Sequence, residues 1–350
     1  MLSYQTIQNL PKIDLHRHLD GDVKANVLYR IAEKEKIPLP ASSPEELEKY
    51  FIKLRQEGFG ALLQKGFGLV TSLMQSEENL HTVAYEEGRN LAEDNIVYAE
   101  LRFAPQYHTG DSVYYGHQAR NKLSYREIIK AVAQGSKAAK KDFGVTTRLI
   151  VCIGREVEAE KGLEIAHAAL ACMDEVVALD LACDEASYPP ERHLTAYQET
   201  FDTPLKRTVH AGEFGAQQEK NIRTALQDLR AHRLGHAIPL ALHADLVAYV
   251  KEHNLGIESC PMSNKFCGFI KEYKELQIPL LLKEGVLVSI NSDDPAMFGY
   301  TLTDVLYAFA KEEKLNLDDM VKLQWNALET AFLSEEEKRK VMRKMEKIKL

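Results

Sequence analysis

Eight short apolar, β-prone runs recur along this chain, and each ends in a cluster of polar residues. They lie near residues 13–18, 97–103, 147–153, 176–182, 206–211, 232–237, 255–260 and 286–292, and longer helical patterns separate them. Strand and helix in alternation require parallel pairing, because a parallel pair needs a crossover long enough to hold a helix. Eight such units predict an α/β fold, a (β/α)₈ TIM barrel, whose functional groups sit at the C-terminal strand ends. The polar clusters fall in those positions. In chain order they are HRHLDG, LRFAP, CIGRE, DLACDE, VHAGEFG, LGHA, ESCPMSN and NSDDP.

The chain of 350 residues is normal for an elaborated barrel, and no Gly/Ser/Pro-rich linker, repeat or low-complexity tract divides it. Residues 1–350 therefore read as one domain. Between strands one and two lies a helical insertion, roughly residues 23–95, with helical periodicity over 45–54 and 80–92. Its segment FGALLQKGFGLV, residues 59–70, mixes apolar residues with three glycines and suits either a mobile lid or a hairpin packed on the barrel. Another helical run, 125–140, precedes strand three, and the charged segment SEEEKRKVMRKMEKIKL reads as a solvated terminal helix.

Charge and cysteine usage narrow the partners. A formal charge of −8, without a basic run interleaved with aromatics, argues against a nucleic-acid polymer and for a small molecule. No apolar stretch is long enough for a membrane span, and the first residues lack a signal-peptide pattern, which predicts a cytoplasmic protein. Cys152, Cys172, Cys183, Cys260 and Cys267 are odd in number and form no CxxC pair, as suits reduced thiols.

The strand ends carry metal-site chemistry. Residues two apart on a strand face the same side, so His16 and His18 can converge on one ion while Arg17 points away. His210 ends strand five, and Asp293 ends strand eight beside a second acid, Asp294; a buried tip with adjacent carboxylates calls for a cation or a hydrogen-bonding ligand. Three imidazoles and one carboxylate suit zinc, with iron or cobalt able to occupy the same set. Strand four offers no lysine to bridge two metals, which favours one ion per chain. Glu213, three residues after His210, is placed to exchange a proton with a substrate, or else to hold a ligand histidine. His236 can orient a water, and Asp294 should face the substrate. Arg102, Arg155 and Glu258, with Asp180 and Asp184 as counterparts for the arginines, read as solvated rim charges.

HRHLDG, DLACDE, VHAGE, LGH, SCPMSN and NSDDP, in this order, resemble the adenosine deaminase family of the amidohydrolase superfamily, over about residues 11–300. The resemblance implies hydrolytic deamination of adenosine and 2′-deoxyadenosine at purine carbon 6, with one Zn²⁺ held by His16, His18, His210 and Asp293. It implies that Glu213 protonates ring nitrogen 1, that His236 positions the attacking hydroxide and that Asp294 binds the five-membered ring. Asp20, with His18, would meet the ribose 5′-hydroxyl, where a carboxylate would repel a 5′-phosphate; its alternative use is as a helix N-cap. Cys183 stands where the family usually has glycine approaching purine nitrogen 3, so its thiol either narrows the pocket or points into the barrel wall. Free adenine or an AMP-like substrate, or another amidohydrolase reaction, would use the same metal chemistry.

Overall fold

The computed structural model describes residues 2–110 and 122–346. Eight strands run β1 Lys12–His18, β2 Ile96–Phe103, β3 Thr146–Gly154, β4 Val176–Ala182, β5 Lys206–Ala211, β6 Arg233–His236, β7 Gly256–Ser259 and β8 Leu287–Ile290. Each pairs in parallel with the next, in the order β1 to β8, with helices in the connections. This is the (β/α)₈ TIM barrel. The strand bounds differ from the expected ones by at most two residues per end, most at β8. There the chain leaves the ladder early because Asn291 turns its side chain to the β1 backbone and Asp293 adopts φ +66°.

The seam between β8 and β1 is closed differently from the other seven. Only an isolated bridge between Arg17 and Asp293 joins the two edges. His18 N–H donates to the Asp293 carbonyl and Asp293 N–H to the His16 carbonyl, both at 2.9 Å. Farther down, side-chain carboxamides replace the ladder: Leu15 N–H donates to Asn291 Oδ1 and Ile13 N–H to Gln324 Oε1, each at 2.8 Å.

The barrel lumen is ionic rather than purely apolar. Arg102 on β2 reaches Glu258 on β7 at 2.6 Å and Asp180 on β4 at 2.8 Å, and Arg233 on β6 joins Glu258 at 2.6 Å and also pairs with Glu100 on β2. All are buried. Removing one partner from such a network strands an uncompensated charge, so the charges hold one another in place. The apolar core lies outside the strands, under the surrounding helices.

The insertion contains helices Ala25–Glu35, Pro44–Glu57 and Glu77–Glu93, with a π-helical turn at Leu62–Phe67 between the last two. Its segment 59–70 reaches the barrel mouth, where the Phe59 ring meets Phe269, beyond β7, and Phe298, beyond β8, at centroid distances of 6.1 and 6.4 Å. The last helix, Glu335–Met345, is not simply solvated. Val341 and Met345 pack with Ile13, Leu15 and Tyr98 against the barrel.

Candidate active site

β1 positions the first two candidate ligands as alternation requires. His16 and His18 face the mouth, while Arg17 turns outward to Glu87 of the Glu77–Glu93 helix at 2.6 Å, Asp22 at 2.5 Å and Asp14 at 3.2 Å. His210 at the end of β5 and Asp293 beyond β8 complete a group whose ligand atoms all lie within 4.8 Å of one another. His18 Nε2 and His210 Nε2 are 3.2 Å apart, and Asp293 Oδ1 is 3.2 Å from His16 Nε2 and 3.4 Å from His18 Nε2.

Whether these residues fit a metal can be judged from the atoms they leave unpaired. His16 Nε2 is buried without a hydrogen-bond partner, while its Nδ1 lies 2.9 Å from Glu258. His210 Nδ1 is likewise backed by Asp180 at 3.1 Å. A carboxylate behind an imidazole fixes the tautomer that presents the other nitrogen to an ion, so the donor set fits a divalent metal such as zinc. Burial opposes charge on both backing acids, yet His210 and Arg102 hold Asp180, and Arg102 and Arg233 hold Glu258, well below the usual carboxylate range. Burial also keeps His18 well below its ordinary value and lowers His210, favouring the neutral imidazoles that ligation needs at those two positions; at His16 burial acts the same way, but Asp293 and Glu258 outweigh it and raise the imidazole.

A second set, His16, His236, Cys260 and Asp293, shares two of these residues. Burial pushes the Cys260 thiol well up, and a protonated thiol is a poor ligand, so the first set is the stronger candidate. Cys260 was not foreseen from sequence, where it reads as one more apolar-flanked cysteine.

Around the cluster stand the expected acid and base groups. Glu213 Oε1 lies 3.6 Å from His236 Nε2, and burial together with the charges of Asp293 and Glu185 raises its carboxyl well above the usual range. Its backbone is held by the buried Glu185, which accepts from the N–H groups of Gly212 at 2.7 Å and Glu213 at 2.8 Å. His236 is oriented by Asn264 through Nδ1 at 2.9 Å and leaves Nε2 buried without a hydrogen-bond partner. Asp294 Oδ1 is also buried and unpartnered, and its side chain fills the space over Gly21, where a Cβ would clash with it. Glu185 and Asn264 stand in plain sight inside DLACDE and SCPMSN, but only the fold shows what they hold.

Asp20 is almost buried, and burial pushes its carboxyl up to about 6. It caps no helix: the next one begins at Ala25, behind Lys24. Cys183 takes a left-handed φ of +77°, the region in which glycine is least strained, and it is exposed rather than packed into the wall, with Sγ 3.3 Å from Tyr107 Oη. His236 and Asp293 share this unfavourable backbone region at +65° and +66°, a clustering typical of functional sites.

The rim reading of the remaining charges was wrong for most of them. Arg102, Arg155, Glu258 and Asp180 are fully buried, because they form the charged floor beneath the site. Arg155 is not paired with Asp180 or Asp184; it donates to the carbonyls of His210 and Tyr188. Asp184 is the rim residue, accepting from Ala186 and Ser187 N–H, both at 3.1 Å, to shape the turn after β4.

The adenosine deaminase family model matches residues 11–348. An adenosine deaminase of Enterococcus faecalis is 34% identical over 343 residues, covering 97% of each chain. An adenine deaminase of Vibrio parahaemolyticus is 28% identical over 97% of this chain and 96% of its own. Among solved structures, an adenine deaminase from Arthrobacter aurescens superposes with a TM-score of 0.84 at 24% identity, covering 97% of this chain and 98% of that one.

Proposed function

Since this chain belongs to the adenosine deaminase family, within the amidohydrolase superfamily, and is a deaminase of adenosine or adenine-like substrates, we propose that it converts adenosine and water to inosine and ammonia. The observation that carries this reading is Glu213, whose raised carboxyl can hold a proton beside a cluster of four metal-ligand atoms.

Purine carbon 6 is a weak electrophile. A divalent ion, zinc in this reading, would when bound lower the pKa of coordinated water from 15.7 to about 7. His16, His18, His210 and Asp293 would hold that ion. Glu213 gives its proton to ring nitrogen 1, which relieves the charge that builds there as water adds at carbon 6. His236 directs Nε2 at the attacking water and orients it. Burial and the charges of Asp293 and Asp20 raise the Asp294 carboxyl well above the usual range, so in this reading it donates a hydrogen bond to nitrogen 7 through the Oδ1 that lacks a partner. As the carbon–oxygen bond forms, His236 takes one proton of the water and passes it to the amino group; the carbon–nitrogen bond breaks, ammonia leaves, and the remaining hydroxyl proton returns to Glu213 as the 6-oxo group forms with nitrogen 1 protonated. Asp20 lies at the β1 end, where its carboxylate favours a free 5′-hydroxyl over a phosphate. The five free cysteines support a reducing, cytoplasmic setting, and no helix of the described residues is long and apolar enough to cross a membrane.

Ammonia release from adenosine, 5′-methylthioadenosine, free adenine and AMP tests the reading. Adenosine should lead, with about one zinc per chain by metal analysis, and Asp20→Ala should reduce its catalytic efficiency by about 10- to 100-fold. A clear preference for AMP or adenine would overturn the nucleoside assignment.

A further inference from the structure

A polar cluster at the ends of β2, β3 and β4 takes no part in the chemistry described above. Three of its atoms converge over Gly154, the last residue of β3. A Cβ there would lie 2.5 Å from Gln106 Nε2 and 2.7 Å from both Glu156 Oε1 and Tyr107 Oη. Gly154 therefore serves close approach. The Tyr107 hydroxyl donates to Glu156 Oε1 and touches Cys183 Sγ at 3.3 Å, while the ring packs on Ala104, Cys152 and Ala182. That contact fixes the Glu156 carboxylate. Its second oxygen, Oε2, and both amide atoms of Gln106 are buried without a hydrogen-bond partner. Buried polar atoms are nearly always paired, so three unpaired ones in a single cluster mark the place of a ligand's polar groups.

We propose that Gln106, Tyr107 and Glu156 form a specificity site for the vicinal ribose hydroxyls of the nucleoside. The assignment rests on the adenosine reading above. With purine nitrogen 1 at Glu213 beyond β5 and nitrogen 7 at Asp294 beyond β8, the edge carrying nitrogens 3 and 9 faces the arc from β4 back to β1. The 5′ end of the sugar goes to Asp20 beyond β1, which leaves the 2′- and 3′-hydroxyls to the ends of β2 to β4. A carboxylate oxygen accepts from one hydroxyl, and a carboxamide donates to or accepts from the other. The thiol of Cys183 bounds the same corner, 3.3 Å from the Tyr107 hydroxyl.

The test is the ratio of kcat/KM for adenosine to that for 2′,3′-dideoxyadenosine, measured by ammonia release. The wild type should favour adenosine by about 10-fold or more, the usual cost of losing a hydrogen bond to a charged group. Glu156→Ala and Gln106→Ala should each move the ratio toward one. Tyr107→Phe, which removes only the hydroxyl that fixes Glu156, should give an intermediate ratio and is the mildest change to the fold. Equal efficiencies in the wild type, or an unchanged ratio in all three variants, would overturn the sugar site while leaving the deaminase reading intact. Ammonia from neither nucleoside, with release from adenine or AMP, would overturn the nucleoside reading and this site with it.

Discussion

In the proposed reaction Glu213 has to be protonated at neutral pH yet stay clear of the candidate ligand set, and its neighbours suit both demands. Burial and two nearby carboxylates raise its pKa, while Glu185 holds its backbone N–H. Glu213→Gln keeps the size of the side chain but removes the transferable proton. Bound metal, measured by elemental analysis, should stay near the wild-type level, and turnover should fall by about two orders of magnitude or more. Near-normal turnover would remove Glu213 from the proposed role. At this scale the grouping of His16, His18, His210 and Asp293 was legible, because HxH and adjacent acids at strand tips have few other uses. The buried charges were not. Asp180 does pair with Arg102 as the sequence suggested, but Arg102, Asp180, Arg233 and Glu258 come from four different strands, and nothing in a sequence shows that they form one buried network.

Elements were easier to read than their contacts. Strands β4 and β5 have the bounds that their β-branched runs predict, and the helix expected over 125–140 runs from Tyr125 to Phe143. The Ala25–Glu35 helix was overlooked, and the π-helical turn at Leu62–Phe67 has no periodic signature to find. Close helix packing is another feature that a pattern cannot show. At Gly135 of the Tyr125–Phe143 helix, a Cβ would lie 2.2 Å from the His81 carbonyl oxygen and 2.9 Å from Ala84 Cβ. Alanine gains about 1 kcal/mol in helix propensity over glycine, but a backbone clash costs about 1–3 kcal/mol. Gly135→Ala should thus lower stability in urea titrations, and a more stable variant would show that the two helices can separate at little cost.

His232, just before β6, gives a pH signature away from the metal cluster. Burial, with Arg207, Lys206 and Arg233 nearby, lowers its pKa to about 4, and its Nδ1 accepts from Arg207 N–H at 3.2 Å. Between about 6.5 and 4 the unfolded chain takes up this proton and the folded one does not, so acidification through that window costs stability. His232→Gln retains an acceptor without the titration. It should lose less stability than the wild type from pH 6.5 to 4, by on the order of 1 kcal/mol once partial exposure is allowed for. Parallel acid profiles for the two proteins would contradict this.

For the molecule as a whole, the seam between β8 and β1 matters most. Seven strand junctions are parallel ladders of two or more residue pairs, and the eighth is one bridge plus the side chains of Asn291 and Gln324. The candidate ligands flank that junction, with His16 and His18 on one edge and Asp293 on the other. A bound ion would therefore clasp the barrel shut. Stripping it with a chelator should lower the melting temperature, by the equivalent of about 4 kcal/mol when free metal had stood at 1,000 times its dissociation constant. Amide exchange should rise first at β1 and β8, and uniform exchange across all strands would separate the metal from barrel closure. The eight-strand pattern was legible in the sequence, but this weak junction was not, since apolar runs do not say which neighbours pair fully.

The seam also sets an order in time. About four-fifths of the chain separates His16 from Asp293, so a chain emerging from the ribosome presents His16 and His18 long before it can offer the carboxylate. The ligand set is complete only after the last strand has been made and laid beside the first. Loading of a metal on these residues would then belong at the end of biogenesis, and a truncated or stalled chain would be left with an open edge and an incomplete candidate ligand set.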